Sequence, residues 1–317
     1  MHKPIWPGTP KSGPTRMNVL PFRRSTAAAF PPSLRLWILP FLAGGLILAN
    51  AIFPGMDTVQ LTMFAALAIV IVGIPHGTLD VEIASVRFGK TDIYGKIAIL
   101  AGCVACAAGM AVCWMFAPAI ALSLFLIISI IHFGLDWRGG ADPFLAMMVG
   151  WALIALPALS HPKEVSDIFA ILTGSPTGLT ISAVLACAAA PAALGSLVFA
   201  YWAFKNNERQ NAIDVVACMA AAIFLSPLVA FAVFFCGLHS PRHMAEALRE
   251  SAGISSAKKG AIIAAVFLLS LAIGVLLFLG QSDLQLESGV IRTAFMLISI
   301  LTVPHFVLEH YRPTAKE

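Results

Sequence analysis

Four short segments share one spacing: His76-Gly-Thr-Leu-Asp80, His132-Phe-Gly-Leu-Asp136, His239-Ser-Pro-Arg-His243 and His305-Phe-Val-Leu-Glu309. Each has histidine at i and a carboxylate or second histidine at i+4. On a helix those positions share a face, so four helix ends can turn polar pairs toward one interior. Imidazole is a ligand for Zn, Cu, Fe and Ni, and carboxylates commonly orient the second ring nitrogen of a ligating histidine. The constellation reads as a shared metal site with His76, His132, His239, His243 and His305 as ligands. Asp80, Asp136 and Glu309 either orient those imidazoles or bind directly in a two-metal site; spacing leaves both open. A closed structural zinc is out of place in a bundle that packing already holds, whereas an all-histidine site with open positions suits Fe(II) and O2. His2 and His161 lie in polar stretches and read as solvated.

The elements that carry these residues follow from composition. Of 317 residues, 59% are hydrophobic and 11% charged, against about 45–50% and about 25% in a soluble domain. That excludes a soluble enzyme, a disordered chain and a nucleic-acid binder. The expected fold is all-α, a polytopic membrane helix bundle. At about 20 apolar residues per crossing, the candidate spans are 36–53, 59–75, 97–117, 119–135, 143–159, 179–204, 212–238, 260–280 and 289–308. The uncharged run 97–134 would reach about 57 Å as one helix, so it must fold back, with Ala117-Pro118 as the turn. Residues 1–33 read as a disordered cytoplasmic tail, and 34–317 as one transmembrane catalytic domain. The six cysteines lie in apolar runs and read as packing residues.

Basic residues set the orientation. Arg16, Arg23, Arg24 and Arg35 hold the N-terminus inside, and Arg87, Lys90, Lys96 and Arg138 mark further inside loops. Nine crossings would leave the basic loop 239–259, with Arg242, Arg249, Lys258 and Lys259, and the tail with Arg312 and Lys316 on the wrong side. Removing one crossing between 139 and 238 repairs both, giving about eight transmembrane helices; 143–159 is the weakest, expected to be re-entrant or interfacial. The same correction brings His239 and His305 to the side that holds His76 and His132. Two sets of residues thus demand one topology.

Gly73-Ile-Pro-His76-Gly-Thr-Leu-Asp80, Ile131-His132-Phe-Gly, His239-Ser-Pro-Arg-His243 and Val303-Pro-His305 together resemble the Brp/Blh family of membrane-integral β-carotene 15,15′-dioxygenases. The likeness runs from about residue 36 onward, with the motifs in family order. It implies an iron centre, Fe(2+), held by His76, His132, His239 and His243, which are the catalytic residues, with His305 matching the C-terminal Pro-His motif. It implies cleavage of a carotenoid at its central 15,15′ double bond to retinal, with O2 as co-substrate. The carotenoid would come from the membrane lipid, entering between helices.

Phe133, Trp137, Phe234, Phe235 and Phe306 adjoin the motifs and are expected either to line an apolar tunnel or simply to pack. Gly73, Gly77, Gly134 and Gly237 are expected to allow close approach. Arg242 is expected to pair with Asp136 or Asp80, or to sit at headgroup level. A multi-pass protein of the bacterial inner membrane with a cytoplasmic N-terminus is the expected setting. A proton-coupled transporter with a His/carboxylate relay is the rival from another class, and another lipid metalloenzyme is a second. A transporter should show inverted repeats and a site near the midplane; here the polar pairs sit at span ends and no repeat is visible.

Overall fold

The structure, a computed structural model, describes residues 32–53, 59–137 and 141–310, and all elements among them are helical. Arg16, Arg23, Arg24, Arg138, Arg312 and Lys316 lie outside the described residues, as does the expected tail up to residue 31; the first helix, α1 (Pro32–Ile52), already begins at Pro32, inside the stretch expected as tail, and includes Arg35. The chain continues through α2 (Val59–Gly73), a 3-10 turn (Ile74–Gly77), α3 (Asp80–Arg87), α4 (Ile93–Phe116), α5 (Pro118–Leu135), α6 (Pro143–Ser160) and α7 (Pro162–Thr173). It ends with α8 (Thr177–Lys205), α9 (Arg209–Phe224), α10 (Pro227–Phe234), a π-helical turn (Phe235–His239), α11 (Ser240–Glu250), α12 (Ser256–Leu279) and α13 (Leu286–His310). Seven helical stretches among the described residues are long and apolar enough to cross a membrane, and Ile38–Ile52 is a shorter apolar helix. The molecule is a polytopic, all-α membrane protein.

Proline and short polar side chains set the helix starts. Pro118, Pro143, Pro162 and Pro227 stand in the first turn of their helices, where a missing N–H costs nothing. Asp142 Oδ1 accepts from the Phe144 amide at 2.7 Å and caps α6. The fold-back expected at Ala117-Pro118 is present as the turn between α4 and α5.

One end of the bundle collects the four histidine motifs. Arg87, ending α3, donates to the Leu308 and Glu309 carbonyls of α13, 3.0 Å each, and pairs with Glu250 of α11. Glu82 of α3 pairs with Lys96 of α4 at 2.6 Å and with Lys258 of α12 at 3.5 Å. These contacts fix which helix ends lie together.

The departure from simple crossings expected between 139 and 238 falls in a different place. Residues 143–160 form one continuous apolar helix, so 143–159 is not the odd member. Instead 212–238 is broken at Leu225 and Ser226, whose ψ values of 156° and 151° are extended. At the histidine end, Asp214 of α9 pairs with Arg242 of α11. At the far end, Ser160 Oγ donates to the Ala222 carbonyl at 2.7 Å, and His161 Nε2 lies 3.2 Å from the Ile223 carbonyl. So α9 runs away from the histidines and α10 returns to them. The 27-residue apolar run hid two limbs in what reads as one crossing. His161 is correspondingly not inert: it ties α6 to α9 and faces Glu164 at 3.6 Å.

Close helix crossings complete the frame. A Cβ on Gly150 of α6 would strike the backbone of Ile130 and Gly134 in α5, so glycine at 150 sets that separation. The buried core includes Phe133, Trp137, Phe199, Phe234 and Phe235 beside the histidine motifs.

Candidate metal centre

Each histidine reaches the centre from a different local structure. His76 sits in the 3-10 turn after α2, which Pro75 helps to form, and its Nδ1 bonds the Gly73 carbonyl. His132 lies three residues before the end of α5. His239 closes the π-helical turn, and His243 stands one turn on in α11. His305 follows Pro304 inside α13. Glycine at position 77 leaves room here, because a Cβ would lie tightly, 3.3 Å from His305 Nδ1 and 3.2 Å from Asp80 Oδ2.

The five rings form one cluster. His132 lies 4.9 Å, centroid to centroid, from His239, 5.2 Å from His305 and 5.4 Å from His243. His76 lies 4.8 Å from His305 and 5.2 Å from His239. The structure thus gathers all five sequence-selected imidazoles from four motifs.

Two of the three carboxylates do not pair as spacing alone implies. Asp136 Oδ2 accepts from His239 Nδ1 at 2.7 Å, and its Oδ1 accepts from His243 Nε2 at 2.8 Å. Asp80 accepts from His305 Nδ1 at 2.6 Å rather than serving His76. Glu309 faces three rings at 3.3–3.4 Å: His132, His243 and His305. Each motif's acid therefore holds another motif's histidine.

With their outer nitrogens held, the inner ones are left over. His239 Nε2, His305 Nε2, both nitrogens of His132 and Glu309 Oε2 are buried without a hydrogen-bond partner. Buried polar atoms are normally satisfied, and so many orphaned imidazole nitrogens in one cluster fit a metal ion. His132, His239 and His243 offer one nitrogen each within 4.8 Å of one another, as do His132, His305 and Glu309 with a carboxylate oxygen. His76 belongs to neither set of three. The residues present can hold a metal ion.

Aromatic rings close the site toward the bundle. Phe133 and Phe235 lie 5.0 and 5.2 Å from His239, and Phe306 lies 6.0 Å from His132. Trp137 is fully buried against Phe199 and under Arg242, whose guanidinium carbon is 5.2 Å from its ring. Arg242 meets neither Asp136 nor Asp80: it donates to Asp214 at 2.5 Å. Asp214 escaped the sequence reading because its partner lies 28 residues away. His310 was also passed over; its ring is 5.6 Å from His132 and its Nδ1 bonds the Phe306 carbonyl. Beyond His243, burial pushes the Glu246 carboxyl above the usual range.

A family described as β-carotene 15,15′-dioxygenase matches residues 67–311, which include every histidine of the cluster. The chain belongs to this β-carotene 15,15′-dioxygenase family. It is 31% identical to the β-carotene 15,15′-dioxygenase of an uncultured marine bacterium (66A03), over 77% of this chain and 92% of that protein. It is 24% identical to the probable β-carotene 15,15′-dioxygenase Blh of Halobacterium salinarum, over 84% of this chain and 90% of that one. No solved structure matches. For this member of the family the histidine cluster is the candidate catalytic site.

Proposed function

We propose that the protein cleaves β-carotene, or a related carotenoid, at the central 15,15′ double bond to two retinal molecules, using O2 and Fe(II). His76, His132, His239, His243 and His305 would hold the iron. The observation that carries this reading is the convergence of buried ring nitrogens of His132, His239 and His305 that make no hydrogen bond in a chain of this family. Iron, when bound, supplies the spin-allowed route by which O2 attacks a closed-shell polyene.

The chain's own residues prepare that chemistry. Asp136, by accepting from His239 and His243 together, fixes both ring orientations with one carboxylate. Asp80 does the same for His305 and the Gly73 carbonyl for His76. Each such bond makes the outer nitrogen the donor and leaves the inner one a lone pair. Glu309, close to three rings, offsets positive charge at the centre. Phe133, Phe234 and Phe235 exclude water on the bundle side, which shields reactive oxygen species from proton donors. The substrate reaches the site laterally from the lipid.

We place the protein in the bacterial inner membrane with the histidine end and N-terminus cytoplasmic, on the basic loop residues Arg87, Lys90, Lys96, Lys258 and Lys259. Expression in cells that accumulate β-carotene tests the activity. Retinal should appear as carotene colour fades. Unchanged carotene beside folded, iron-bearing protein would overturn the assignment.

A further inference from the structure

A narrow cavity lined only by apolar side chains lies among α2, α5, α10 and α13, the helices that carry or lead to His76, His132, His239 and His305. Its walls include Ala66, Ile69, Phe125, Phe231, Ala294 and Ile298. Ile69, Phe125 and Ile298 each stand seven residues before a histidine of the cluster: His76, His132 and His305. Seven residues are two helical turns, about 10 Å along the axis. The cavity therefore sits between these helices, about two turns from the cluster.

An aromatic column joins the two. The Phe231 and Phe235 rings stack at 5.3 Å and 17°, and Phe235 stacks on His239 at 5.2 Å and 19°. A Cβ on Gly73 would collide with the Phe235 ring, so glycine there lets the column lie against α2. On the other side of the cluster the surroundings are charged, with Arg87, Glu250, Glu82 and Lys96. An apolar rod with its reacting bond at the histidines must send its arms away from it. The charged end offers no apolar wall for one, whereas this cavity, widened by a turn of Phe231, does.

We infer that this cavity receives one arm of the carotenoid, and that Phe231 and Phe235 determine how deep the arm sits and so which double bond meets the histidines. The inference rests on the proposed cleavage reaction and names its specificity residues. Loading turns the half-buried Phe231 ring aside, because the cavity as it stands is narrow. The arm is recognised by shape and apolar surface alone.

Binding without turnover tests this. Purified protein is incubated with β-carotene under anaerobic conditions and repurified, and retained pigment and metal per chain are measured. Ala294→Leu fills the cavity and should retain at least about fivefold less pigment than the parent, an overpacking effect, with metal content unchanged. Adding Phe231→Ala returns the lost space and should restore retention to within about twofold. Ala66→Leu, on a different helix, should behave as Ala294→Leu does. Equal retention by the parent and both filled variants would overturn the pocket, as would a loss that Phe231→Ala fails to restore. Pigment retained by the parent but yielding no retinal when O2 is admitted would leave the pocket standing and sink the cleavage reading.

Discussion

His305 donates its Nδ1 proton to Asp80 at 2.6 Å, across 225 residues of chain. Asp80 stands four residues after His76, yet it serves a histidine from the opposite end of the sequence. The same exchange recurs at Asp136, which serves His239 and His243. The motifs are thus interlocked, and no single helix end forms a working unit.

Removing an inward-facing imidazole should abolish both metal retention and activity. His132→Ala, His239→Ala and His305→Ala each delete a ring with a buried, partnerless nitrogen. Metal analysis of purified protein and retinal formation should both fall to background, with elution from a sizing column unchanged. His161→Ala, at the far end, should leave metal content untouched.

Asp136→Asn keeps the shape but loses the charge, and its amide nitrogen cannot accept from a ring. One of the two imidazoles it orients is then free to turn. Metal affinity should drop about 10–100-fold, the range for such outer partners. Titration with a competing chelator measures it, and Asp136→Glu should recover less than the parent because the carboxylate moves by a methylene.

Arg242→Ala leaves Asp214 buried, with Gln210 still donating to it at 2.8 Å. Stranding a buried charge costs about 3–5 kcal/mol; with Arg242 partly exposed and Gln210 retained, the expected loss is nearer about 2. A lowered Tm should show this. Asp214→Asn in the same chain should recover part of it.

Gly150→Ala drives a methyl into the backbone of Ile130 and Gly134. Backbone cannot step aside as a side-chain tip can, so destabilisation of about 1–3 kcal/mol follows. A thermal melt reads it directly. Gly253→Ala, where nothing lies within 4 Å, should be silent.

The returning limb makes a topological prediction. In a cysteine-free background, a single cysteine at Phe224, exposed where α9 ends, should react from the same side as one at Ser175, and one at Gly253 only from the opposite side. A continuous 212–238 crossing would instead put position 224 near the middle of one helix, out of reach from either side. Membrane-impermeant labelling of intact cells and of inverted vesicles separates the two.

The sequence carries the candidate ligand set openly, because an ionisable residue in an apolar run has few bland uses. His76, His132, His239, His243 and His305 stand out for that reason, and the turn at Ala117-Pro118 follows from length alone. Partner choice is different. Nothing in His76-x-x-x-Asp80 says that Asp80 will turn to His305, since i,i+4 periodicity describes one regular helix. In fact His76 lies in a 3-10 turn and Asp80 opens the next helix. The break at Ser226-Pro227 had a signal, a serine followed by proline, but the mostly apolar run of 27 residues around it outweighed it. Arg242 and Asp214 are far apart in sequence, and only packing brings them together.

The interlocked motifs also impose an order of assembly. α13 is the last helix described and the last of the site's contributors to leave the ribosome. Until it docks, Asp80 has no imidazole to hold, and Glu309, which faces His132 and His243, is absent. The growing chain can insert helix after helix while its cluster remains half-built. Maturation and activation are therefore one event, and a chain stopped before Leu286 should reach the membrane without acquiring metal.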